Sequence, residues 1–150
     1  MSLYAIILII HLVSAVIGLG VSFGMPIVLR LVKTTTQAKF AHEVNVGLEK
    51  YAKIGSITLL VTGLVMGALH PYLFKEIWYI ASIVIYIAVQ PIVAGILPKK
   101  TAKQLELLQA HKEEELPEEY QKLTKEMLPL HNVLMVSVVI LVVLMSIKPF

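Results

Sequence analysis

Residues 3–29 read LYAIILIIHLVSAVIGLGVSFGMPIVL and contain no charged side chain. About 17–25 apolar residues carry a helix across bilayer hydrocarbon, so this stretch predicts a membrane span. A cleaved signal peptide would be shorter and would follow basic residues. No Lys or Arg precedes residue 3, and the run is read as a span that stays.

Three further apolar runs occupy residues 54–69, 77–97 and 128–147. The second is short, but Tyr51, Ala52 and the snorkelling stem of Lys53 extend it. The chain is 57% hydrophobic and only 15% charged, with mean hydropathy +0.81. A water-soluble domain of 150 residues does not carry that balance. The expected fold is all-α: one integral membrane four-helix bundle with spans at about 3–29, 52–69, 77–97 and 128–147, and a helical connection at 99–126. Alternating ten-residue segments, which a membrane barrel needs, are absent.

Breaks between spans follow from local chemistry. Thr34-Thr35-Thr36 ends the first helix, and residues 38–53 read as an amphipathic lead-in to the second. Pro71 cannot continue a helix and biases His70 to extended geometry, so the second span stops there. The third is expected to end near Pro98. Leu116-Pro117-Glu118-Glu119 is a restart signal with acids in the first turn. The fourth span carries Pro129 in its first turn. Segment 99–126, with Leu105, Leu108 and Leu116 as its apolar contacts, reads as a solvated helix.

Eleven of the thirteen basic residues fall in the first-to-second and third-to-fourth connections. Lys75 and Lys148 alone lie on the other side. Basic loops stay cytoplasmic, so both termini are expected outside, in the plasma (inner) membrane. A reporter fused to the C-terminus should be active only outside the cell; activity in the cytoplasm reverses the orientation. The net charge of +3 arises from this asymmetry and is no nucleic-acid signal. The lipid bilayer is the first partner.

There is no cysteine, which excludes disulfides, thiolate ligation and iron–sulfur clusters. All ten acids lie outside the spans, which argues against proton pumping through a buried carboxylate. Six methionines raise a copper-handling reading, but they form no tight Met/His cluster, and most read as packing residues.

Histidines remain. His11 lies at membrane depth, where an imidazole is costly unless something satisfies it. Ser14, Ala15, Gly18 and Ser22 follow it at helical spacing. Gly55, Gly63 and Gly67 lead to His70 on the second span. Two histidines on facing helices can bind a b-type haem from both sides. The candidate metal ligands are thus His11, then His70, then His131. Gly18, Ser22 and Gly67 are candidates for leaving room for the macrocycle. Small residues serve close helix packing equally well. His42 and His111 read as solvated. Tyr79, Ser82, Tyr86 and Gln90 fall on one face of the third span and should point inward. Tyr86 and Gln90 can bond a propionate, a quinone or a histidine, or tie helices together.

The first span, with Leu3, His11, Ala15, Gly18, Phe23, Pro26 and Leu29, resembles the opening helix of HemJ-type protoporphyrinogen oxidases and of the related copper-resistance D-type membrane proteins. The ending Lys148-Pro149-Phe150 is similar to that of the same group. Leu116-Pro117-Glu118-Glu119-Tyr120 and the four-span layout resemble an uncharacterised bacterial four-span family related to it. The resemblance implies haem b in the bundle, with His11 as first-helix axial ligand. It also implies electron transfer or haem handling, with a quinone or a respiratory-chain protein as partner. HemJ-type oxidase activity, copper handling, and a structural or assembly role, alone or as a homo-oligomer, are the alternatives. HemJ-type enzymes carry a lysine near the start of the third span, and residues 78–86 here hold none. That departure tells against the oxidase chemistry and leaves haem binding untouched.

Overall fold

A computed structural model describes residues 2–149; Phe150 of the Lys-Pro-Phe ending lies outside them. α1 spans Leu3–Arg30, opened by Ser2, whose hydroxyl accepts the Ala5 amide at 3.2 Å. α2 spans Thr35–Leu69 in one piece. Thr34 caps it by accepting the Gln37 amide at 3.3 Å. The amphipathic lead-in and the second span are therefore a single helix. As expected, it stops at His70, and a 3-10 turn over Pro71–Lys75 follows.

α3 spans Ile77–Gln90 and passes through a π turn, Pro91–Ile96, into α4, Leu97–Ala110. The helix continues through Pro98, where the apolar run ends. Pro91 lacks an amide proton, and the widened turn accommodates the missing bond. Pro98 then sits in the first turn of α4, where no amide is needed. α5 spans Glu118–Ile147 with Glu118 and Glu119 in its first turn. It starts about ten residues before the apolar run, so Pro129 is inside a helix and not at its start.

Among the described residues, four helices, counting α3–α4 as one, are long and apolar enough to cross a membrane. α1 packs most extensively against α2, and α3 packs against α5, with smaller contacts from α1 to α5 and α2 to α4. The burial pattern is inverted relative to a soluble bundle. His11, Ser14, Thr62 and Ser82 are buried, while Ile9, Leu12, Val16, Ile57, Val84 and Val136 are exposed. Water would not tolerate such a continuous apolar surface. Lipid does, and it leaves small and polar residues to hold the helices together.

The two ends differ. At the basic end, the first half of α2, α4 and the start of α5 form a three-helix core around Ala38, Leu108 and Tyr120. Segment 99–126 is thus not simply a solvated helix, because α4 buries Gln104 and Leu108 in that core. The loop before α5 is pinned to the start of α2: the Thr35 amide donates to the Glu114 carbonyl at 2.9 Å, and the Thr36 hydroxyl to the Glu114 carboxylate at 2.9 Å. Hydroxyls of Thr34 and Thr36 hold that carboxyl below its usual range. At the opposite end Leu73, Trp78 and Tyr79 cluster with Leu144. There Lys148 ends α5 in left-handed geometry, with its ammonium 5.5 Å from the Trp78 ring centre.

Candidate functional site

α1 and α2 approach almost to backbone contact. A Cβ added to Gly55 would lie 2.6 Å from the Gly18 nitrogen and 3.0 Å from the Ser14 carbonyl oxygen. One added to Gly18 would lie 3.0 Å from the Gly55 carbonyl carbon. Gly18 therefore meets the backbone of α2, and a macrocycle cannot occupy that face. Ser22 donates to the Gly18 carbonyl of its own helix at 3.3 Å. Gly67 accommodates the Tyr79 hydroxyl and the Phe74 ring. At Gly18 and Gly67, small residues serve packing.

Two turns from Gly55 along α2, the seam holds His11, 6% exposed. Its Nδ1 is 2.9 Å from the Thr62 hydroxyl. That hydroxyl has one proton and two backbone acceptors, Thr58 O at 2.6 Å and Leu59 O at 3.1 Å. With the proton directed to the backbone, the oxygen lone pair accepts Nδ1–H from His11. The Nε2 lone pair is then left for another partner. The ring lies against Gly63, where an added Cβ would be 3.4 Å from His11 Cε1. From α3, the Tyr79 hydroxyl donates to the Gly63 carbonyl at 2.9 Å.

Tyr86 reaches inward to α2, whereas Gln90 is half-buried and bonds only its own helix. Tyr86 meets the Ser56 hydroxyl and donates to the Ser56 carbonyl at 2.8 Å. Gln90 donates to the Tyr86 carbonyl at 3.2 Å. Ser82 donates to the Trp78 carbonyl of its own helix at 2.8 Å.

The three candidate histidine ligands are not brought together. His70 packs edge-on against Tyr4, ring centres 4.7 Å apart, and against Tyr72 at 5.8 Å. Tyr4 precedes His11 by two helical turns, a rise of about 10 Å. A shared ion needs both nitrogens at roughly 2 Å from it, so His11 and His70 as placed do not form a bis-histidine site. His131 donates Nδ1–H to Met127 O at 2.9 Å, at the basic end, near Arg30 and Pro26. Along α1, Pro26 lies fifteen residues from His11, about 22 Å. Among the described residues, no group of three or more His, Cys, Asp or Glu could hold a metal ion.

His42 corrects the sequence reading: it is 2% exposed, not solvated. His111 remains near the surface, bonded to the Glu115 carbonyl at 2.8 Å. Burial holds His42 below its ordinary value of 6.5. Just below that pH the unfolded chain takes a proton that the folded chain refuses, so stability rises with pH across the window and falls on acidification. Tm measured from pH 7 to pH 5 should fall, and His42→Phe should flatten the slope. An unchanged slope in the variant assigns the effect to other groups.

Sequence reasoning missed Thr62 and Ser56, and read Gly55 and Gly63 only as room for a cofactor beside His70. Each of the first two is a hydroxyl residue in an apolar run, and no spacing rule links it to a residue some thirty to fifty positions away.

A family model described as Predicted integral membrane protein (DUF2269) matches residues 5–149. No curated protein and no solved structure matches the chain.

Proposed function

The chain belongs to this family of integral membrane proteins, and from that premise we propose that it holds b-type haem through His11 Nε2, for electron transfer or haem handling. The His11–Thr62 hydrogen bond carries the reading. Ligating histidines usually give their other ring N–H to a second group, which fixes tautomer and orientation. Thr62 supplies that group here, in a site shielded from water. The fit is to a single histidine ligand. His70 and His131 lie too far away, and the α1–α2 face is closed at Gly18, so the group would lie on the side of His11 away from that contact. When bound, haem supplies one-electron redox chemistry. The apolar outer faces of the helices would give a lipid-soluble acceptor such as a quinone direct access.

Purified protein should take up added haem and show a Soret band, with α and β bands on reduction. His11→Ala should abolish the band. A colourless protein that takes up no haem ends this reading and favours the purely structural one, to which the Gly18–Gly55 packing already lends support.

A further inference from the structure

The three-helix core at the basic end carries more polar groups than its protein partners satisfy. His42 and Asn45 lie one turn apart on α2, Gln104 lies on α4, and Tyr120 on α5; they are 2%, 3%, 1% and 2% exposed. Gln104 Nε2 donates to the Thr124 hydroxyl at 2.8 Å and more weakly to the Tyr120 carbonyl at 3.4 Å. The His42 and Tyr120 rings meet edge-on with centres 6.1 Å apart. Yet among the described residues, His42 Nε2, Asn45 Nδ2 and Oδ1, Gln104 Oε1 and the Tyr120 hydroxyl have no protein partner.

A buried polar group without a hydrogen bond loses its hydration and gains nothing in return. Native interiors leave few such groups. Here five such atoms lie on the three helices of that end, with His42 against Tyr120 and Gln104 against Tyr120. Asn45 Nδ2 donates, Asn45 Oδ1 and Gln104 Oε1 accept, and His42 Nε2 and the Tyr120 hydroxyl do either. An anion would have no use for the two amide oxygens, and a cation none for the amide N–H. Water satisfies both kinds. Gln104 also lines a cavity of about 10 Å³ with Thr124, Arg30, His131 and Pro26, about the room one water needs.

We propose that His42, Asn45, Gln104 and Tyr120 form a buried water-binding site, continuous through Gln104 with the cavity beside Arg30 and His131. The site brings hydrogen-bonded solvent to the edge of the spanning bundle, independently of any haem at His11. Tyr120→Phe removes only a hydroxyl. In the full chain in detergent or nanodiscs, loss of a water-bonded hydroxyl should lower Tm by about 2–4 °C. An equal or higher Tm means a dry core and overturns the site. If Tyr120→Phe does not fold, an experimental structure of the wild type decides: ordered water bonded to these atoms supports the site, and a dry core or a different solute overturns it.

Discussion

Gly55→Ala is expected to destabilise the bundle by about 2–3 kcal/mol, the upper range for forcing a methyl into a packed core. At about 2–4 °C per kcal/mol, Tm falls by roughly 4–12 °C. The new Cβ would sit 2.6 Å from the Gly18 nitrogen and 2.7 Å from its Cα. Those are backbone atoms of a helix and cannot swing aside, so α1 must retreat along the seam. The His11–Thr62 bond lies two turns away on the same seam and should loosen with it. Gly67→Ala is the control. Its Cβ meets the Tyr79 hydroxyl, which is buried and bonded to the Gly63 carbonyl, and the exposed Phe74 ring edge; side chains can shift where backbone cannot, so the cost should be about 1–2 kcal/mol, below that of Gly55→Ala. Gly20→Ala meets nothing within 4 Å and removes a glycine from a helix interior, which stabilises by up to about 1 kcal/mol. Thermal unfolding of the three variants checks the order. A Gly55→Ala protein as stable as the wild type would mean that the close approach is not present in solution.

The contrast between Gly55 and His42 shows what a single sequence exposes. Runs of uncharged apolar residues mark the spans because a helix in lipid must satisfy its backbone internally and cover itself in hydrocarbon. That physics is local, so residues 3–29 could be read alone. His11 could be flagged for the same reason: a lone imidazole at that depth costs free energy wherever its partner lies. The partner is non-local. Thr62 is fifty-one positions away, in an apolar run that would look the same with any small residue there. Small residues mark a close approach without saying whether helix or cofactor fills it; Gly18 turned out to meet α2. Proline marks a boundary only loosely: both Pro91 and Pro98 sit within one continuous helical rod, because a widened turn carries α3 into α4. His42 looked solvated because it lies in the connection between the first two apolar runs, outside the membrane. It is buried because α4 and α5 close over α2, a packing that the individual segments do not reveal.

Thr62→Val separates a structural His11 from a ligating one. Valine keeps the branched shape and removes the oxygen that accepts Nδ1–H. In a purely structural role the cost is that of one interhelical hydrogen bond in lipid, about 0.6 kcal/mol and at most ~1.7. The Thr58 and Leu59 carbonyls lose only an additional donor, since both remain in their helix. If His11 Nε2 is an axial ligand, the same change frees the ring to rotate and to move its proton to Nε2, which blocks ligation. Loss of such an outer partner costs about 10–100-fold in metal affinity. Haem titration followed at the Soret band should therefore weaken by one to two orders of magnitude in Thr62→Val, with Tm reduced by only a few degrees, while His11→Ala shows no band at all. Thr62→Ser, which retains an acceptor, should recover most of the affinity. Haem uptake unaffected by Thr62→Val would remove Thr62 from the site. Uptake unaffected by His11→Ala would place the haem elsewhere in the bundle.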